Sequence, residues 1–236
     1  MARVLSELSS GGASGLLGGD PSECAEILGV DGVAISLDRD NALYELVWST
    51  EGTSEALEDV QYTLGEGPGV DTATSGSMVM VSDLEQERAD RWPALLPAAT
   101  GLGVRSVFCL PLRIGGVSLG VLTAQRASPG PMAAHAVDDV LILAATATAV
   151  LIGGGQRQRF THAEPTSHLH RAAVHQATGM ISVQANVTLT EALVLLRAHA
   201  YRYDRALLDV ARDVVARNLH FRDTGGGTAP SSGAME

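Results

Sequence analysis

The side chains of this sequence that could do chemistry are few in kind. All 16 basic residues are arginine, with no lysine. Arginine stays charged at any working pH and holds planar anions through a rigid fork of donors, so its chemistry is recognition. Residues 1–167 carry nine Arg against 21 Asp and Glu, whereas residues 168–222 carry seven Arg against four acids. Only the C-terminal segment is therefore suited to approach a polyanion, within a chain of net charge −11.

Catalytic and metal chemistry have little to draw on. Cys24 and Cys109 lie in no CxxC and read as buried apolar residues. Five of the seven histidines (His168, His170, His175, His199, His220) fall in the C-terminal segment without metal-ligand spacing, and no cysteine lies nearby. No metal or cofactor is implied. His135, the only histidine before residue 160, reads as an exposed residue at a helix start. An enzyme would need Cys109 or a cluster of carboxylates to act, and nothing in the sequence arranges such a site. The stretch HQATGMISVQ (175–184) poses a different question. Gly179 inside a helix costs about 1 kcal/mol relative to alanine. With Ala177 and Thr178 it keeps one side of that helix bare, leaving room for a ligand backbone or for a second helix.

The elements that position these residues follow from periodicity. Residues 1–19 read as a flexible N-terminal segment with one short helical turn around Val4–Leu8. GVAISL (32–37) and ALYELVWS (42–49) read as adjacent strands, and the runs either side of Gly115-Gly116 as a hairpin. Helices interspersed without strict β-α alternation predict an α+β fold with an antiparallel sheet. Val137, Val140, Leu141, Ala144, Ala145, Thr148 and Leu151 mark one stripe of a helix within residues 132–152. No apolar run reads as long enough to span a membrane, no secretion signal opens the chain, and a cytoplasmic protein is the default. Low aromatic content (4%), abundant Ala, Val, Gly and Asp, and the all-arginine usage point to a GC-rich bacterial genome.

YTLGEGPGVDTATSGSMVMVSDL (62–84), followed by SVFCLPLRIGGVSLGVL (106–122), resembles the GAF family of small-molecule sensor domains. Gly65 and Gly67 permit a tight turn, and Pro68 suits the first turn of a helix. The resemblance implies a GAF-like sensor domain over 20–152, including its terminal helix, that responds to a small molecule or a protein. Its ligand pocket is not defined by the sequence. A GAF-fold redox enzyme is a weaker alternative, because Cys24 would be the sole partner for Cys109. The terminal helix either covers its own sheet or packs against a second subunit, so a homodimer is expected.

A linker (153–166) then leads to three helices with very short loops. The first carries Leu169, Ala173, Ala177, Met180 and Gln184 on one face, with Ala172 and Ile181 beside them. The second opens with a capping box, Thr188 and Glu191, and carries Ala192, Leu193, Leu196, Ala200 and Tyr203. Asp204 is placed to cap the third, with Leu207, Val210, Ala211, Val214 and Asn218–Leu219 inward. Arg171, QATGMI (176–181), TEALVLLRAHA (190–200) and LLDVARDVV (207–215) resemble the ANTAR family of RNA-binding antitermination modules, in the order and spacing found in actinobacterial-type GAF–ANTAR regulators. The resemblance covers 167–222, leaving 223–236 as a tail expected to be disordered. It implies binding to paired, short-looped hairpins in nascent transcripts, which prevents transcription termination.

On that resemblance the RNA-contacting set is Arg171, Gln176, Thr178, Gly179, Arg197, Arg205 and Arg212. Gln176 can both donate to and accept from a base edge, and the arginines can hold phosphates or stack on bases. Thr178 stands where many relatives carry lysine, which removes one phosphate contact. Arg205 is spaced to pair with Asp209, and Asp213 with Arg217, as surface ion pairs. Arg197 has no acid four residues away on either side and is the preferred contact. A DNA-binding helix-turn-helix regulator is the alternative, weakened by the absence of a strongly basic recognition helix.

Overall fold

The computed structural model describes residues 2–9, 17–39, 43–154, 166–203 and 205–221. It divides into two compact units between Leu169 and His170.

The first unit is built on a five-stranded antiparallel sheet: β1 (Gly32–Arg39), β2 (Leu43–Ser49), β3 (Val79–Val81), β4 (Ser106–Ile114) and β5 (Val117–Arg126), in the order β2-β1-β5-β4-β3. The β4–β5 hairpin turns at Gly115-Gly116 as expected, with Gly115 alone taking a positive φ (+55°). Alternation along the strands separates two cores. Val33, Ile35, Phe108, Leu110 and Leu122 face one layer, formed by α1 (Ala2–Ser9), α2 (Pro21–Leu28) and α6 (Ala134–Gly154). Val107, Cys109 and Val121 face the other, formed by α3 (Thr53–Leu64), α4 (Pro68–Ser75) and α5 (Leu95–Gly101). Pro68 opens α4 at its first position, as the Gly-Glu-Gly-Pro element predicts, with Gly67 before it at φ +136°. A Cβ at Gly67 would fall 2.6 Å from the Gln61 amide oxygen, so this turn requires glycine twice over.

Three expectations for this unit are revised. The N-terminal segment is not simply loose: α1 is an eight-residue helix lying along α6, and both Leu8 and Leu17 are buried in the core. On α6 the inward stripe is Ala136, Val140, Leu143, Ala144 and Ala147, whereas Leu141 and Ala145 face outward. An almost continuously apolar helix gives periodicity little contrast, and the sheet decides which stripe turns in. For the same reason α6 is, by length and composition, apolar enough to cross a membrane (mean hydropathy 1.8), contrary to the sequence reading. Its buried face packs on the sheet, as in the core helix of a globular domain.

The division falls within the first turn of α7 (Thr166–Ala185); the second unit contains the rest of that helix with α8 (Leu189–Arg202) and α9 (Leu207–Val215). The axis turns through 104° between α7 and α8. Thr188 and Glu191 form the expected capping box. Ala192, Leu193, Leu196 and Ala200 of α8, and Leu207, Val210, Ala211 and Val214 of α9, point inward as read, but Tyr203 and Asn218 are exposed. The inward face of α7 is Val174, Ala177, Thr178, Ile181 and Ala185, one step round from the predicted stripe. Ala206 occupies the N-cap of α9 with no side-chain cap, while Asp204 lies outside the described residues, as do 155–165 and 222–236.

Candidate nucleic-acid interface

On α7 the bare stretch resolves into two faces. Ala177 and Thr178 are fully buried, and the Thr178 hydroxyl donates to the Val174 carbonyl at 2.7 Å. This local bond satisfies the hydroxyl inside the core and removes Thr178 from any contact surface. Gly179 faces the other way. Among the described residues, and apart from its own helix backbone and chain neighbours, no atom lies within 4 Å of the position a Cβ would occupy, so no described packing requires this glycine. Gln176, Gly179 and Val183 follow one another along the outward face, with Gln176 and Val183 exposed.

The arginines are placed unequally. Arg212 is exposed and sits 3.6 Å from Asp209. Arg205 bonds Asp213 at 2.7 Å rather than the predicted Asp209, because α9 begins at Leu207 and Arg205 folds back across its first two turns. Asp213 is therefore committed to Arg205 rather than to Arg217. That bond holds the Asp213 carboxyl below its ordinary pKa. Arg197 is half-buried and engaged within the chain. Arg171 lies on α7, with its side chain outside the described set.

One group went unread in the sequence. Tyr201 (80% exposed) and Tyr203 (54% exposed) close α8, and the Arg202 guanidinium lies 5.6 Å from the Tyr203 ring centroid. His199 packs on Tyr203 at 4.5 Å and meets Phe221 edge-on at 5.3 Å. The Phe221 amide donates to the Gln184 side chain at 3.0 Å. Burial, then the charges of Arg205 and Arg202, lower the His199 pKa. The signal was present in the string Tyr201-Arg202-Tyr203-Asp204-Arg205, unusual in a chain so poor in aromatics.

The first unit holds a small cavity of about 10 Å³ between α3, α4 and the sheet, lined by apolar surface of Tyr62, Val70 and Val121 together with Ser36, Glu58 and Gln61. Buried Glu58 accepts from the Ser36 hydroxyl at 2.5 Å and from the Gln61 amide at 3.1 Å. Gln61 in turn accepts from the Gly69 amide at 2.7 Å. Such a space holds about one water. The cysteines are distant from redox chemistry: Cys24 and Cys109 belong to the two separate cores on opposite faces of the sheet. Burial pushes the Cys24 thiol up to about 12 and raises Cys109 as well, where the Glu58 charge adds to the effect. Among the described residues no three His, Cys, Asp or Glu gather as metal ligands.

The fold and surface define a two-part protein, an antiparallel α+β sensor-type domain followed by a helical bundle with an arginine-bearing surface. The chain belongs to the GAF family, whose domain model matches residues 22–152, and the ANTAR domain model matches residues 166–215. GAF domains are sensors and ANTAR domains RNA-binding antitermination modules, so this order is the architecture of a regulator rather than of an enzyme. No curated protein matches the chain. Among solved structures, the chain is similar to the GAF domain of an Acinetobacter phosphoenolpyruvate-protein phosphotransferase. That match has 19% identity and a TM-score of 0.52, and covers 68% of this chain and 95% of that one. A type II free methionine-R-sulfoxide reductase from Thermoplasma acidophilum matches at 14% identity and a TM-score of 0.45, over 56% of this chain and 87% of its own. The first likeness shows the shared GAF fold.

Proposed function

We propose that this protein is a cytoplasmic, signal-responsive antitermination regulator, which binds paired short-looped hairpins in nascent RNA and keeps a terminator from forming. The observation that carries the reading is the outward face of α7 within the ANTAR domain, where Gln176 is exposed beside a glycine with nothing packed over it. A nucleic-acid backbone can approach the helix at Gly179 while Gln176 bonds a base edge. Arg171, Arg197, Arg205 and Arg212 supply phosphate contacts, and buried Thr178 contributes packing only.

The GAF domain receives a small molecule or a protein, and the cavity beside Glu58 is the seat a small ligand would enlarge. Two copies pair through the outward face of α6, where the apolar side chains of Leu141, Ile142 and Ile152 are 41%, 48% and 43% exposed. Pairing raises the effective concentration of the second bundle for the second hairpin.

The test is binding of the full chain to an RNA with two short-looped hairpins, beside a loop-scrambled RNA and duplex DNA at two salt concentrations. The reading expects loop-dependent binding to the first RNA and its loss in Gln176→Ala. Equal weak binding to all three would overturn it.

A further inference from the structure

We infer that the C-terminal end of α8 is a stacking platform for unpaired bases of the RNA, formed by Tyr201 and Tyr203 with Arg202 and Arg205 beside them. The inference rests on the RNA reading above and specifies which part of the RNA this end of the bundle takes.

Aromatic side chains normally bury their rings and find partners. Tyr201 does the opposite: it is 80% exposed and, among the described residues, makes no ring contact or hydrogen bond. Tyr203, 54% exposed, is held at a fixed angle by His199, itself braced by Phe221, whose amide is tied to Gln184 of α7. A ring held in this way loses little freedom when a flat group stacks on it. Arg202 lies against Tyr203, and the Arg205 guanidinium reaches Asp213 from the residues just after α8. A ring edged by a guanidinium group, as Tyr203 is by Arg202, suits a nucleobase with its phosphate alongside, because one offers a π-face and the other a fixed positive charge. A protein partner would favour a dry apolar patch, whereas here Arg202 lies against the Tyr203 ring in the one segment with excess arginine. In a paired A-form stem the base faces are stacked away, so the platform takes loop bases.

The experiment uses the full-length protein and a two-hairpin RNA carrying 2-aminopurine in one loop, with affinity read by anisotropy and stacking by quenching of the probe. Tyr201→Ala and Tyr203→Ala should each weaken binding about 5- to 100-fold and relieve the quenching, while Tyr203→Phe stays within about twofold of the parent. A loopless RNA duplex should bind all four proteins alike. Tyr201→Ala removes a ring standing clear of the fold, so unchanged hydrogen exchange in α8 separates lost stacking from lost structure. If the parent binds the loops but both alanine variants bind and quench equally well, the platform is overturned and the RNA reading stands. If the parent shows no preference for the hairpin RNA, the RNA reading itself fails. Altered sedimentation of RNA-free Tyr201→Ala would assign the rings to contact between copies and overturn the platform.

Discussion

Thr178 and Gly179 are neighbours with opposite duties. One is sealed in the bundle core by its bond to Val174, and the other looks out onto empty space. Because a methyl group at Gly179 would meet nothing, Gly179→Ala should stabilise α7 by about 1 kcal/mol through helix propensity alone. Slower amide exchange across α7 would register that gain, and weaker RNA binding in the same variant would show what the glycine is for. His199 supplies a second test at this scale. Its pKa is lowered in the folded state by burial and by the neighbouring guanidinium groups. The unfolded chain therefore binds the proton more readily, and stability falls as pH drops from the ordinary value of about 6.5 toward the lowered one. The loss should level off below that window, and His199→Gln should remove it from a stability–pH profile.

At the scale of elements, α8 depends on its first turn. Thr188 accepts from the Glu191 amide while the Glu191 carboxylate accepts from the Thr188 amide, completing the box the sequence predicted. Thr188→Ala should cost about 1 kcal/mol and speed exchange at the start of α8. These bonds also hold Glu191 below its ordinary pKa, so this contribution is present above the unfolded value and lost in stronger acid. Capping boxes, the Gly-Pro entry to α4 and the glycine hairpin were legible because each is a local rule written in adjacent residues. The inward stripes of α6 and α7 were not, since a helix made largely of Ala, Val and Leu offers several equivalent faces until a neighbour selects one. Arg205 was misassigned for a related reason: its partner depended on where α9 begins, and the N-cap of that helix is Ala206. Of the candidate site, Gln176 and Arg212 are exposed and Gly179 has no described side chain packed over it, whereas Thr178 is buried. Tyr203 was placed in the core because an exposed ring at the end of a stripe reads as core, and Tyr201, off that stripe, was not singled out.

For the molecule as a whole, two features of composition become physical. The outward face of α6 leaves Leu141, Ile142 and Ile152 in solvent, and these side chains are what pairing of two copies would cover. Ile142→Asp should leave the fold intact, because its side chain stands outside the core, and should yield monomers in sedimentation velocity. The excess of arginine in residues 168–222 should make RNA binding fall steeply with salt, and Arg212→Gln should flatten the logarithmic slope by about one unit.

Cys24, on α2, and Cys109, on β4, are sealed in separate cores on opposite faces of one sheet. Both thiols should therefore resist alkylation in the native protein, and each sulfur becomes a clock for the core that holds it. Timed alkylation of Cys24 reports when α2 and α6 lift from the sheet, and alkylation of Cys109 reports the opening of the α3–α5 side. A bound signal that tightens one side alone would slow one clock and leave the other running.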